Sequence, residues 1–235
     1  TNNVLKKLAQ EGAKEGTVVI ADCQTRGRGR LGRNWVSEPG NGIWMSLLLR
    51  PELHPSKVQV LTLATSVAVA KALESFNIPE TGIKWPNDIL IRGKKVCGIL
   101  TELSAEADRV FWVIAGIGLN VNHQGFPDEI RDIATSVRLE ANSGRPVDRS
   151  RLAAEIINTF ERIYDEFKEN GSDPVIAQWK KYNLTLGKKV RLISPDGLCR
   201  EGTAVDIMPD GRLVFRRDDG VTEYVFSGEI SLREI

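Results

Sequence analysis

The sequence predicts an α+β protein that ends in a small all-β barrel. Two observations carry this. Up to about residue 182, helical periodicities alternate with strand-like runs, and three of those runs follow one another at hairpin spacing. After Gly187 the texture changes to short strands separated by Asp-Gly turns. The boundary falls near Asn183–Gly187, with a larger domain at 1–184 and a smaller one at 185–235.

Residues 2–10 (NNVLKKLAQ) set Val4, Leu5 and Leu8 on one helical face, and Gly12 and Gly16 end that helix. Residues 17–21 (TVVIA) read as a buried strand. The glycine-rich stretch 24–42, with Pro39, reads as a long irregular loop. Ile43–Leu49 is a further strand ended at Pro51, and Lys57–Phe76 a long apolar helix. Ile83–Ile91 (with Pro86 inside it), Val96–Leu103 and Val110–Val121 are strand-like. The turns between them, at Arg92–Lys95 and Ala105–Asp108, suit antiparallel hairpins. Leu152, Ile156, Phe160, Ile163 and Phe167 mark a helix over Arg151–Lys168, and a short one follows at Val175–Tyr182. The barrel is built from KKVRLI, GTAVDI, RLVFRR and VTEYVF, with turns at Asp196-Gly197, Asp210-Gly211 and Asp219-Gly220.

Composition narrows the class of function. Lys and Arg total 32 against 31 Asp and Glu, a net charge of +1, so no global field draws the chain to nucleic acid or an anionic membrane. Cys23, Cys97 and Cys199 are odd in number and widely spaced, which suggests neither a zinc site nor a disulfide framework. A reducing cytoplasm is the expected setting, since no secretory signal or membrane-length apolar run is visible. The chain starts at Thr1 without an initiator Met, so sequence upstream is expected.

The most informative segment is Gln24–Trp35. Arg26, Arg28, Arg30 and Arg33 are interleaved with Gly27, Gly29 and Gly32. Glycine lets backbone approach a ligand, arginine offers a permanent donor fork to phosphate or carboxylate, and Trp35 adds a flat apolar face. Together they suggest a site for a nucleotide and a carboxylate. The glycines also satisfy G-x-G-x-x-G, but Pro39, Gly40 and Gly42 would break the helix that a dinucleotide fold needs there. A solvated basic turn is the plainer alternative, and single-stranded RNA binding a second one.

Three other constellations stand out: Lys84-Trp85-Pro86-Asn87-Asp88 between strands, Lys95 just before Cys97-Gly98, and Gly116-Ile117-Gly118-Leu119-Asn120. Each has a plainer reading: a strand-edge turn, a solvated lysine and a β-bulge. His54 and His123 read as surface or turn residues, and no Ser-His-Asp set can be assembled. Any chemistry is therefore electrostatic, with lysine and arginines stabilising charge on a transferring phosphoryl or acyl group.

These segments, with Gly228–Arg233 at the end, occur in the order and near the separations of the biotin protein ligases, and the chain resembles that family over essentially its whole length. The resemblance implies a mixed central sheet of class II synthetase-like type with helices on one face, then an SH3-like β-barrel. It implies that ATP with Mg²⁺ activates biotin to biotinyl-5′-AMP, and that biotin passes to a lysine of a biotin carboxyl carrier protein of a biotin-dependent carboxylase. Lys95 matches the lysine at the reacting carboxylate and α-phosphate, with Arg30, Lys84 and Asp88 as further catalytic contributors. Asp88 would position or deprotonate the acceptor lysine. Thr1, Asn2, Gln24, Arg28, Gly29, Arg30, Lys95, Gly98, Gly116 and Gly118 match biotin contacts. Arg28, Arg30, Arg33, Trp35, Asn87, Asn120 and Arg233 match ATP contacts, with Trp35 near adenine, Asn120 at its edge and magnesium near Asn87. No side chain is assigned as a direct metal ligand. Ordering of the loop over the adenylate would exclude water. The resemblance is to the bacterial type with no N-terminal DNA-binding domain visible, so nucleic acid is not an expected partner unless such a domain lies upstream. It implies a cytoplasmic homodimer, paired through the central sheet. The rivals are a lipoate ligase on a related fold, a DNA-binding repressor and a plain interaction module.

Overall fold

The computed structural model describes residues 1–141, 144–194, 196–227 and 231–234, the last with side-chain detail at Leu232 only. A six-stranded sheet holds β1 (Val18–Ala21), β2 (Gly42–Leu49), β3 (Thr81–Lys84), β4 (Asp88–Ile91), β5 (Lys94–Glu106) and β6 (Arg109–Asn120) in the order β1-β2-β6-β5-β4-β3. Every strand pair in it is antiparallel, so the expected mixed sheet is corrected; parallel pairing is limited to isolated bridges at Ile83–Asn183 and Lys95–Ala134. The cause is connectivity: β3 to β6 run as successive hairpins, whose short turns permit only antiparallel neighbours. The expected strand Ile83–Ile91 is two strands, because Pro86 has no N–H for a ladder and the chain turns at Trp85–Asn87.

Alternation along β2 divides the two faces of the sheet. Ile43, Met45, Leu47 and Leu49 join the main core, whereas Trp44, Ser46 and Leu48 face the other way. Over the main core lie α2 (Gln59–Ser75), α4 (Arg149–Asn170) and α5 (Asp173–Tyr182). α2 is apolar on nearly every side and buried on nearly every side, held between the sheet, α4 and α5. Each fully buried Leu or Val there is worth roughly 1.5–3 kcal/mol of transfer free energy. Helices are not confined to one face, however. α1 (Asn2–Gln10) covers the opposite face, where Leu5 and Ala9 meet Leu48, Trp112 and Ile114. Its apolar stripe is therefore Leu5–Ala9, and Val4 is exposed. β1 is a half-buried edge strand rather than a buried one. A short α3 (Val137–Glu140), capped by Ser136, carried no recognised signal.

The second sheet, order β10-β9-β8-β7-β11, is antiparallel and formed by β7 (Lys189–Ile193), β8 (Cys199–Ile207), β9 (Leu213–Arg217), β10 (Thr222–Val225) and β11 (Ser231–Glu234). Its fifth strand lies in the terminal motif. The inward residues Val190, Leu192, Leu213, Phe215 and Val225 belong to the same apolar cluster as the helical layer. Trp85 helps seat this sheet: its indole N–H donates to the Gly211 carbonyl (3.2 Å) and its backbone N–H to Thr185 (2.9 Å). Among the described residues no helix is long and apolar enough to cross a membrane.

Candidate active site

The face that α1 leaves open carries a cavity of about 860 Å³. Strand register builds its floor. Trp44 lies opposite Gly118, Gly118 opposite Gly98, Gly98 opposite Asp88 and Asp88 opposite Lys84, in one row across five strands. The next row sets Ser46 opposite Gly116 and Gly116 opposite Leu100. Directly opposed residues share a face, so three glycines from two motifs form one depression flanked by Asp88 and Lys84. A bulge completes it. Cys97 pairs with Ile89 but Lys95 with Leu90, and both Val96 and Cys97 are buried in the helical core. The extra residue turns Lys95 to the open face, whereas strict alternation would bury it.

At one end of the cavity the side chains are uncharged and hydrogen-bonded to one another. Ser46 Oγ, fully buried, lies 2.6 Å from both Thr1 Oγ1 and Asn2 Oδ1. Thr1 Oγ1 reaches Gln24 Oε1 (3.3 Å), and Gln24 Nε2 donates to Ser37 Oγ (3.0 Å). Gly116 is required here, because a Cβ would fall inside the Asn2 carboxamide.

The other end is charged. Lys95 Nζ lies 2.6 Å from Asp88 Oδ1 and 5.3 Å from the centre of the Trp35 ring. Arg30 donates through Nη1 to Asn87 Oδ1 (3.0 Å) and through Nη2 to the Ser227 carbonyl of the second sheet, while Asn87 Nδ2 donates to the Ile99 carbonyl (2.7 Å). Burial holds the Arg30 guanidinium below its ordinary pKa, with Asp88 opposing that shift and Arg33 adding to it. Arg33 and Lys84 also line the cavity. Two residues beyond Leu100 on β5, Glu102 binds Lys6 (2.6 Å) and Asn2 Nδ2 (2.8 Å) and lies 3.6 Å from Arg28, which also donates to Asn3 Oδ1 (2.6 Å). Burial pushes the Glu102 carboxyl up, but the bonds from Lys6 and Asn2 and the nearby charges outweigh it and leave it below its ordinary value.

The arginine–glycine segment is exposed over much of its length but is not a free turn. It folds back on itself through Trp35 N–H to Gly27 C=O (3.0 Å) and Gly29 N–H to Arg33 C=O (2.7 Å), and lays Trp35 over the floor. A Cβ on Gly118 would stand 2.7 Å from Trp35 Nε1, and one on Gly98 3.2 Å from the same ring. The indole N–H is buried without a hydrogen-bond partner among the described residues.

The cavity thus gathers Thr1, Asn2, Gln24, Arg28, Gly29, Arg30, Arg33, Trp35, Lys84, Asn87, Asp88, Lys95, Gly98, Gly116 and Gly118. Asn120 is not in it: its buried amide donates to the Thr135 carbonyl (3.2 Å) and secures the segment beside Lys95. The Arg233 side chain, and Gly228–Ile230 of the same motif, lie outside the described residues. His123 is buried against Phe126 and Trp44 rather than at the surface, and burial lowers its pKa; His54 caps a short turn. Cys97 lies beneath the floor, its thiol pushed up by burial, and is unsuited to act as a nucleophile. Sequence reasoning missed Ile130 and Ile133 in the lining and, behind or beside it, Ser46, the one polar residue in an apolar strand, Glu102 and Ser227. A second cavity of about 750 Å³ holds none of the expected residues, and its Tyr164 and Glu15 are bonded to each other (2.7 Å).

Residues 1–120 match the biotin/lipoate A/B protein ligase family and residues 185–233 the biotin protein ligase C-terminal domain. The chain is 45% identical to the bifunctional ligase/repressor BirA of Bacillus spizizenii, over 99% of this chain and 71% of that one. It is 36% identical to the biotin–[acetyl-CoA-carboxylase] ligase of Mycobacterium tuberculosis, over 91% of this chain and 78% of that one. Among solved structures, the biotin protein ligase from Aquifex aeolicus in complex with biotin and ATP superposes with a TM-score of 0.82 at 32% identity, covering 98% of this chain and 94% of that one.

Proposed function

Because the chain belongs to the biotin/lipoate A/B protein ligase family, as a biotin protein ligase, we propose that its two-ended cavity divides the work of biotin activation and transfer. The reaction uses biotin and ATP, with magnesium arriving on the nucleotide phosphates as part of that substrate. In the first step a biotin carboxylate oxygen bonds to the α-phosphorus as the bond to the β-phosphate oxygen breaks, giving biotinyl-5′-AMP and pyrophosphate. In the second, the neutral ε-amine of an acceptor lysine attacks the acyl carbon. The bond to AMP breaks, and one proton leaves the nitrogen as the amide forms.

The observation that carries this division is the convergence of a neutral, hydrogen-bonding end and a cationic end on one glycine floor, with Lys95 held over Gly98 by Asp88. The side chains of Thr1, Asn2 and Gln24, backed by Ser46, offer donors and acceptors without net charge, which suits a cyclic urea. Lys95, Arg28, Arg30, Arg33 and Lys84 supply the fixed positive charge needed to bring a carboxylate against a triphosphate. Lys95 acts at the reacting oxygens. Asp88 orients it in the first step and, once Lys95 turns to the adenylate, accepts the proton of the acceptor amine. Asn87 Oδ1, which accepts from Arg30, would offer a neutral oxygen to the magnesium–phosphate unit. Among the described residues no three His, Cys, Asp or Glu side chains are grouped to hold a metal by themselves. Trp35, closing over Gly98 and Gly118, shields the mixed anhydride from water.

We assign 1–184 to catalysis and 185–235 to an SH3-like domain that closes on the nucleotide side. The acceptor is a biotin carboxyl carrier domain, the setting the cytoplasm, and the assembly a homodimer through the central sheet, of which β1 is one edge. The repressor activity named for the Bacillus relative is not carried over. The test is single-turnover formation of adenylate from MgATP with biotin and, separately, with lipoate. Biotinyl-AMP that passes to a carrier domain is the expected result; turnover of lipoate alone would hand the site to the other branch of the family.

A further inference from the structure

Gln59, the first residue of α2, does not line the cavity, yet its carboxamide joins the two sheets at the point where Arg30 is held. Its Nε2 donates to the Gly211 carbonyl (2.5 Å), in the turn between β8 and β9, and its Oε1 accepts from the Ser227 backbone N–H (3.0 Å), just beyond β10. Gly211 sits tightly against the first turn of α2, where an added Cβ would lie 3.2 Å from Gln59 Cγ and from Val60 N. Its φ of +87° also favours glycine. The same carbonyl takes the Trp85 indole N–H, so the turn is pinned from two sides. The carbonyl of Ser227, whose N–H Gln59 holds, in turn accepts from Arg30 Nη2, while Arg30 Nη1 binds Asn87.

We propose that Gln59 is a positioning residue for the adenylation step: by fixing the Ser227 backbone it fixes one arm of the Arg30 fork, and so aims the guanidinium at the phosphate end of the cavity. This rests on the reading of Arg30 as a phosphate or carboxylate contact. A guanidinium held at two of its nitrogens has lost most of its rotational freedom before substrate arrives. One of those two anchors is the backbone carbonyl of Ser227, outside any strand and just beyond β10. Gln59 reaches it from a helix whose remaining residues are almost all in the core, the most rigid support nearby. Nothing in the sequence around Gln59 marks it; its role comes from contacts 152 and 168 residues away.

A double-mutant cycle on the full chain tests this, reading single-turnover biotinyl-AMP formation and thermal midpoint for wild type, Gln59→Met, Arg30→Ala and the double variant. Gln59→Met, which removes both bonds at similar volume, is expected to slow adenylate formation about tenfold, a loss of the order that one misplaced charged hydrogen bond causes. In the Arg30→Ala background the same substitution is expected to change the rate less than about twofold, because the group it positions is gone. Gln59→Glu, whose carboxylate still accepts from Ser227, is expected to recover most of the rate while losing the bond to Gly211. Equal rate losses in both backgrounds, or no loss in the wild-type background, would overturn the proposal. Arg30→Ala at the wild-type rate would instead overturn the reading of Arg30. Should Gln59→Met not fold, Gln59→Asn, too short to span both carbonyl and N–H, carries the same comparison.

Discussion

The two ends of the cavity are built by different means. At the neutral end, Ser46 is locked in the middle of a buried strand and bonds Thr1 and Asn2, and Thr1 in turn bonds Gln24, so the cluster is connected before any ligand arrives. At the charged end, Lys95 reaches the open face only through a bulge, and Arg30 comes from a loop and is braced by the other sheet. Lys95 is held by Asp88, and Arg28 by Glu102, anions that a substrate anion can displace, while Arg30 is held by the neutral oxygens of Asn87 and Ser227. A preformed neutral cluster favours recognition, since a ligand must replace its hydrogen bonds one for one. Cations tethered by exchangeable anions favour catalysis, since their attraction is released towards charge that develops late.

The strongest way to break this contrast is Lys95→Ala. It removes the charge expected at the reacting oxygens, and adenylate formation in a single turnover should fall by about 10²–10³-fold. Biotin affinity, measured calorimetrically without ATP, should change far less. A variant that binds biotin poorly but forms adenylate at a normal rate once saturated would move Lys95 to the recognition end.

Ser46→Ala sharpens the contrast from the other side. It strips the shared partner from Thr1 and Asn2 and leaves two polar atoms short of a bond in a part-buried site, a cost of about 1–3 kcal/mol. The loss should show as a five- to hundredfold weaker KM for biotin, of about that order by the same free energy, with kcat nearly unchanged. A fall in kcat at constant KM would mean that the two ends are not separable.

That the two ends differ in origin also explains how much could be read in advance. The hairpins over 88–120 were legible, because turn signals at Arg92–Lys95 and Ala105–Asp108 bracket apolar runs. With the hairpins comes the glycine floor, since Gly98 and Gly118 fall opposite each other once the strands pair. The arginines of the loop were legible as anion ligands by type. The bulge at Val96 was not: alternation gave no reason to place an extra residue there, and Lys95 on its own reads as a solvated turn lysine. Nor was the face of α1 or the seat of Trp35, which rest on contacts between segments far apart in the chain. Ser46, the one hydroxyl in an apolar strand, was passed over, because its meaning depends on Gly116 lying beside it. Local chemistry was readable, and the long-range register that turns chemistry into a site was readable only where hairpins carried it.

The smallest expected effect belongs to Glu102, which touches a member of each set, Asn2 by a hydrogen bond and Arg28 by charge. Its carboxyl is held below the ordinary value despite burial, by bonds from Lys6 and Asn2 and by the Lys6 and Arg28 charges. A depressed folded-state pKa contributes stability that is fully present above the unfolded value, about 4.3 for Glu, and is lost as pH falls through the folded value. Glu102→Gln keeps the shape but not the charge, so the wild type should be more stable than the variant at pH 7. The margin should stay within about 1 kcal/mol, because Lys6 and Arg28 remain partly open to water. Thermal midpoints of the two proteins should differ by a steady amount above about pH 5 and draw together below about pH 4, where the wild-type carboxyl takes up a proton and becomes as neutral as the amide. An offset that persists unchanged into acid would show that Glu102 acts through packing, and that the two ends of the cavity are joined by shape rather than by a shared charge.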